Sequence, residues 1–319
     1  MISTRASTRT HRSVRLGLSF GRHFSRSDAL EFRKHAEAFR PDVIVPEMLY
    51  PKNGSLRCLN YEANEQMRVI RGSDSREIEL IRRLSDSNPY HNELARVVID
   101  LSQAILYIEE YTPFSLRRYR RDIEVFSKLF DRRAIQALKS GDVGYVLEKF
   151  ERYFRAVSSF YYYRNLFITE QLSKAGELIP LHLPDFSHEG ELRVLARFGQ
   201  AHLQVADLLE QSGVSFDFFN STPPRYYTQM HIALSKDPSQ PITDDVLLRT
   251  MFSFIHSGFG LMESHEKDVE TEAVVFERIG GSRGFLVIII DSAERTSISP
   301  FRSPNDTFLS ELKSRISNV

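Results

Sequence analysis

Apolar residues alternate with other residues at Val14, Leu16, Leu18 and Phe20, a period of two that predicts a half-buried strand, and the run ends on Phe20-Gly21-Arg22-His23. The same pattern recurs far along the chain, at Leu192, Val194 and Ala196, followed by Phe198-Gly199-Gln200-Ala201-His202. Each copy continues into a helical stretch, Asp28 to Phe39 in the first and up to Ser212 in the second. A second apolar strand then follows, Val43-Ile44-Val45-Pro46-Glu47 or Val214-Ser215-Phe216-Asp217-Phe218. Ser25 to Asp28 supplies a helix start and Pro41 a stop, and the short connections favour a parallel strand pair with the helix packed on one face. In an open parallel sheet the ligand crevice lies just past the carboxyl ends of the strands. His23, Glu47 and His202 all fall there.

Between the copies the pattern changes. Residues 51–88 are rich in Arg, Asn, Gly and Ser and read as loop with short helices. From Asn92 to Tyr163 the period is helical, first through Leu94, Val97, Val98, Leu101, Ile105 and Ile108. It is carried further on by Val146, Phe150, Tyr153, Phe154, Val157, Phe160 and Tyr161. This stretch is a helical insertion placed to act as a lid. After the second copy, Tyr226 to Leu234 reads as a strand and Asp244 to Phe254 as a helix. Glu272 to Glu277 and Phe285 to Ile290 read as two strands joined by a hairpin loop at 280–284, and Asp306 to Ile316 closes with a helix. The fold expected is α/β, with a mostly parallel central sheet built from two strand-helix-strand repeats and a large α-helical insertion. Its parts are a disordered basic tail at 1–11, a first half-core at 12–50, the insertion at 51–155, a second half-core at 156–222, and C-terminal strands and helices completing the core at 223–319.

Composition narrows the function classes. With 319 residues, 41% of them hydrophobic and 26% charged, the chain can bury a sizeable core. Lys plus Arg equals Asp plus Glu at 42 each, so nothing global steers it toward nucleic acid, and no nucleic-acid partner is expected. The run Arg117-Arg118-Tyr119-Arg120-Arg121 is followed at once by Asp122 and Glu124 and reads as a solvated helix face. One cysteine, Cys58, allows neither an internal disulfide nor a cysteine metal cluster, which fits a reducing compartment. The longest apolar run is far too short to span a bilayer, so no membrane span is expected. Arginines without an acid before Asp28 resemble a transit peptide, against which Val14 to Phe20 alternates as a strand. A cytoplasmic location is the expectation, with organelle targeting through the basic N-terminus as the alternative.

Four residues carry candidate chemistry. A histidine directly after a strand ending in Gly is held by rigid backbone yet faces the crevice, as a metal ligand or general base requires, and His23 and His202 share that placement. Glu47 ends an apolar run, where an acid needs a cation or a metal unless Pro46 has already turned the chain to solvent. Arg164 follows Val157, Phe160 and Tyr161 at helical spacing, so its guanidinium needs a carboxylate or an anionic ligand unless it snorkels to solvent; Glu47 is the natural partner. His182 with His188, and His256 with His265, lack ligand spacing and read as ordinary. No Walker loop, GxGxxG with a distal acid, HExxH or GxSxG is present.

Gly199-Gln200-Ala201-His202, Arg40-Pro41-Asp42-Val43-Ile44-Val45-Pro46-Glu47 and Tyr163-Arg164-Asn165-Leu166-Phe167-Ile168-Thr169-Glu170 together resemble one superfamily. It groups TraB/PrgY pheromone-shutdown proteins, Tiki-type metalloproteases, erythromycin esterases and ChaN-type haem-binding proteins. The first histidine motif departs from that pattern, with Phe20 three residues before His23 where Gly is expected and Gly21 where a small or acidic residue usually sits. The resemblance implies a metal-dependent hydrolase acting on a small-molecule or peptide substrate. His23, Glu47 and His202 would surround zinc or another late divalent ion, Glu47 being a ligand or general base, and Arg164 would orient Glu47 or hold the developing oxyanion. Two other classes stay open: a binding module that keeps this fold without chemistry, and an interaction protein working through the Tyr- and Arg-rich insertion.

Overall fold

A computed structural model describes residues 13–21, 26–47, 97, 100–101, 104–105, 129–182, 190–220, 224–258, 269–296 and 303–317. The chain divides into two units, residues 1–110 with 165–221 and residues 111–164 with 222–319.

The first unit is built on a parallel sheet. Its strands are β1 (Val14–Gly21), β2 (Val43–Pro46), a two-residue β3 (Ala104–Ile105), β4 (Leu192–Gly199) and β5 (Phe216–Asn220), in the order β3-β2-β4-β1-β5. Every pairing is parallel. The two repeat copies lie side by side in register, Phe20 opposite Phe198 and Gly21 opposite Gly199. The expected direct pairing of the two strands within each copy is corrected: β4 lies between β1 and β2, and β1 lies between β4 and β5, so the copies interleave. Ile105, expected on a helical stripe, instead pairs with Ile44, and Ala104 beside it pairs with Val43.

Helices cover both faces, so both sides of the strands are buried, the polar Ser19 and Arg197 included. Helix α1 (Arg26–Phe39) buries Ala29, Phe32, Ala36 and Phe39 against Ile44 and Leu195. It ends where Arg40 takes a left-handed φ of 54° and Pro41 prevents continuation. The other face carries Leu16, Leu18, Phe20, Val43, Val45, Val194, Ala196 and Phe198. Against these pack Ile168 and Leu172, from the part of a long helix (Val143–Ser173) that belongs to this unit, then Ala175 and Ile179 of Ala175–His182, and Val205 and Leu209 of Gln204–Gln211. With Arg132–Lys139 numbered α2, these three helices are α3, α4 and α5.

The second unit is helical among the described residues. It comprises α2, the first part of α3, and α6 (Tyr226–Lys236), α7 (Asp244–Gly258), α8 (Val269–Arg278), α9 (Gly281–Arg295) and α10 (Pro304–Ser317). The three strands expected at 226–234, 272–277 and 285–290 are therefore corrected to helices. Residues 223–319 join the helices of 129–164 around their own core rather than completing the sheet. The buried set of α9, Phe285, Ile289, Ser292 and Ala293, has helical spacing, while Val287 in the middle of the apolar run is 54% exposed. A β-branched run of that length fits either element, and only its neighbours decide. The glycines read as a hairpin loop lead into α9 instead. A Cβ at Gly284 would sit 1.6 Å from the Ile279 carbonyl oxygen. Gly284→Ala, a change that normally favours a helix by about 1 kcal/mol, should here destabilise by roughly 2 kcal/mol or more, read as a lowered thermal midpoint.

Candidate functional site

Among the described residues the β1–β4 ladder runs to Gly21 opposite Gly199, and the β2–β4 ladder to Pro46 opposite Arg197, two residues earlier on β4. One further bond, Glu47 N–H to the Arg197 carbonyl at 2.7 Å, carries β2 to Glu47. The chain turns immediately after Gly199 through a single 3-10 turn, Gln200–His202, which folds the imidazole back over the strand end. His202 Nε2 then lies 2.9 Å from Glu47 Oε1, although 155 residues separate them. Glu47 Oε2 accepts the Gly199 N–H in a short bond.

The other ring nitrogen is held as well. His202 Nδ1 lies 2.6 Å from Asn165 Oδ1, and the Asn165 amide nitrogen donates to Gln204 Oε1 at 3.2 Å, which fixes the amide orientation. An amide oxygen only accepts, so Nδ1 carries a proton and Nε2 is the nitrogen turned to the acid. Nε2 and a carboxylate oxygen at 2.9 Å require a proton or a cation between them. His202 is fully buried, Asn165 and Gln204 nearly so, while the Glu47 side chain keeps 14% exposure.

The sequence thus brings Glu47 and His202 together as expected. His23 lies outside the described residues, as do Cys58, Arg117 to Arg121, His188, His265 and the side chain of His182. Arg164 belongs to the second unit, where it is half-buried with its guanidinium carbon 5.6 Å from the ring centroids of both Phe160 and Tyr161. Stacking on two rings is one way an apolar stripe accommodates a guanidinium. Among the described residues no group of three or more His, Cys, Asp or Glu is arranged to hold a metal ion.

Sequence reasoning missed Asn165, Gln204 and Arg197. Asn165 stands on the stripe shared by Tyr161 and Ile168, so a polar residue there was the available signal. Arg197 is fully buried on the α1 face, its Nη2 2.6 Å from Asp28 Oδ2 and its Nη1 2.8 Å from Ser19 Oγ. Guanidinium groups only donate, so the Ser19 hydroxyl donates onward to His35 Nδ1 at 2.8 Å. Burial, reinforced by the Arg197 charge, holds the His35 pKa below its ordinary value against the opposing pull of Glu31 and Asp28.

A second histidine pair sits in the helical unit. His231 Nδ1 is 2.7 Å from Ser158 Oγ, and its ring stacks on Phe154 at 4.2 Å between centroids. Ser158 donates to the Phe154 carbonyl, so the imidazole donates to Ser158. That direction is opposite to the one an activated nucleophile needs. His256 is buried against Phe252.

No helix among the described residues is long and apolar enough to cross a membrane. Comparison with protein-family models, curated proteins and solved structures finds no match.

Proposed function

We propose that this protein is a metal-dependent hydrolase acting on a small-molecule or peptide substrate at an ester or peptide bond, working in the cytoplasm, with Glu47 and His202 at its centre. The observation that carries the reading is the facing of Nε2 and Oε1 at 2.9 Å with the remaining donor and acceptor of each group already engaged, Nδ1 by Asn165 and Oε2 by Gly199. Metal-bound histidines characteristically have the second ring nitrogen held in this way, which fixes the tautomer and aims the ligand. An imidazole nitrogen and a carboxylate oxygen suit zinc or another late divalent ion, and His23 would supply a third donor. Such an ion, when bound, lowers the pKa of a coordinated water and polarises a carbonyl. The chain's own part is positional. Asn165 keeps the proton on Nδ1, Gly199 fixes the carboxylate plane, and burial of His202 keeps bulk water from competing for Nε2. The single cysteine supports the cytoplasmic placement.

The second reading is a non-catalytic binding or interaction module. It is favoured by the same mutual satisfaction, because an acid–imidazole pair with every partner in place also clamps the end of β2 to the turn after β4. Elemental analysis of the purified full chain beside His202→Ala and Glu47→Gln separates the two. The hydrolase reading expects roughly one equivalent of a late divalent ion in the parent, a loss of affinity of 10-fold or more in both variants, and loss of ester or peptide hydrolysis with the metal. Parent protein that holds no metal after incubation with zinc leaves the clamp.

A further inference from the structure

Among the described residues Arg197 heads the wholly buried side chains by size, and the proposed chemistry leaves its guanidinium unused. It faces Ser19 across the β1–β4 ladder and reaches past it to α1, where Nη2 bonds Asp28 Oδ2 at 2.6 Å and the Asp28 carbonyl at 3.3 Å. Its guanidinium carbon lies 5.3 Å from the Phe32 ring centroid. A Cβ on Gly21 would stand 1.8 Å from Nη2 and 2.1 Å from Asp28 Oδ1, so the end of β1 is bare because the ion pair occupies that space. The Arg197 carbonyl accepts the Glu47 N–H at 2.7 Å, two residues before the Gly199 N–H that holds the Glu47 carboxylate. On the β2 side the described pairing ends at Pro46 opposite Arg197, next to this Glu47 bond.

We infer that Arg197 is a positioning residue for the Glu47–His202 centre, anchoring the end of β4 through Asp28, and that Gly21 is the seat its guanidinium requires. This rests on the reading of that centre as a metal site. It also accounts for the glycine at position 21, since a side chain there would collide with the anchor. The anchor acts through the Arg197 carbonyl and the Gly199 amide, which together set where the Glu47 carboxylate stands.

The test compares the chelator-stripped parent with Arg197→Lys, the charge-balanced pair Arg197→Met with Asp28→Asn, and Gly21→Ala, by zinc titration and by hydrogen exchange of the Glu47 amide relative to Val194. Arg197→Lys keeps a cation against Asp28 and should unfold as cooperatively as the parent. It loses the two-pronged fork, so zinc affinity should fall at least about 10-fold. The charge-balanced pair should fall similarly, and Gly21→Ala should lower affinity in the parent but add nothing in that pair's background. Parent-like zinc affinity in Arg197→Lys and in the charge-balanced pair overturns the positioning role. Should the parent itself bind no zinc, the metal reading fails and amide exchange decides alone. Glu47 exchange faster by roughly 10-fold in the variants, a shift of about 1.4 kcal/mol in local opening, supports Arg197 as the anchor of the acid, and unchanged exchange overturns it.

Discussion

Asp28→Ala should destabilise the sheet unit by about 3–5 kcal/mol, the cost typical of stranding one member of a buried ion pair. The guanidinium of Arg197 has no exposed surface, and its closest carboxylate contact is Asp28 at 2.6 Å. Removing that carboxylate leaves the positive charge in a site walled by Phe32, Ser19 and the backbone of β1. Urea unfolding at pH 7 measures the loss. High salt should change it little, because burial shields the pair from counterions. The charge-balanced pair Arg197→Met with Asp28→Asn should instead keep most of the parent's stability, since replacing a buried ion pair by neutral groups is often close to neutral. A cost below about 1 kcal/mol for Asp28→Ala would mean the guanidinium reaches water, and the burial argument would fall with it.

The sheet and half of the site were legible from residues 14 to 47 and 192 to 218 because period and punctuation agree there. Alternation gives the strands, Phe-Gly ends them at one level, and the parallel register then carries His202 and Glu47 to a common edge. The interleaved strand order was not legible. Short connections argue for neighbours, but covering both sheet faces with helices is satisfied equally well when a strand of the other copy intervenes. Arg193, Leu195 and Arg197 read as the outward face of a half-exposed strand, yet α1 covers that face, and Arg197 is buried with a partner from a distant part of the chain. Alternation of polar and apolar residues reports which face is polar without reporting which face is wet.

The C-terminal helices show the opposite failure. Phe285 to Ile290 is apolar at every position, so neither period is visible, and β-branching tips the reading toward a strand. What selects the helix is the neighbouring context, Phe252 packing on both Phe276 and Phe285, which no window of the sequence contains. The candidate centre divides in the same way. Its acid and imidazole follow strand ends and can be read locally, whereas Asn165, which fixes the imidazole, sits on a helix far from both, and its place on an apolar stripe marks it without naming its partner.

Acid should weaken the helical unit well before its carboxylates protonate. Burial lowers the His231 pKa to about 3 from its ordinary 6.5. The folded unit therefore keeps this imidazole neutral, its Nδ1 proton given to Ser158, while the unfolded chain takes up a proton as soon as the pH drops below about 6.5. Stability carried by the neutral ring is complete above that value and is lost progressively as the pH falls toward 3, at a limiting slope of about 1.4 kcal/mol per pH unit. At pH 5 the loss from this one group is on the order of 2 kcal/mol. His35, also held below its ordinary pKa, acts in the same direction in the sheet unit. In urea titrations at pH 7 and pH 5, His231→Gln should be less stable than the parent at pH 7, because it gives up stacking on Phe154 and an edge-to-face contact with Tyr227. The gap should then narrow by about 2 kcal/mol at pH 5, since glutamine binds no proton in either state. Equal pH slopes for parent and variant would show that His231 titrates alike in the folded and unfolded chain, which a ring sealed among Phe154, Tyr161 and Tyr227 does not permit.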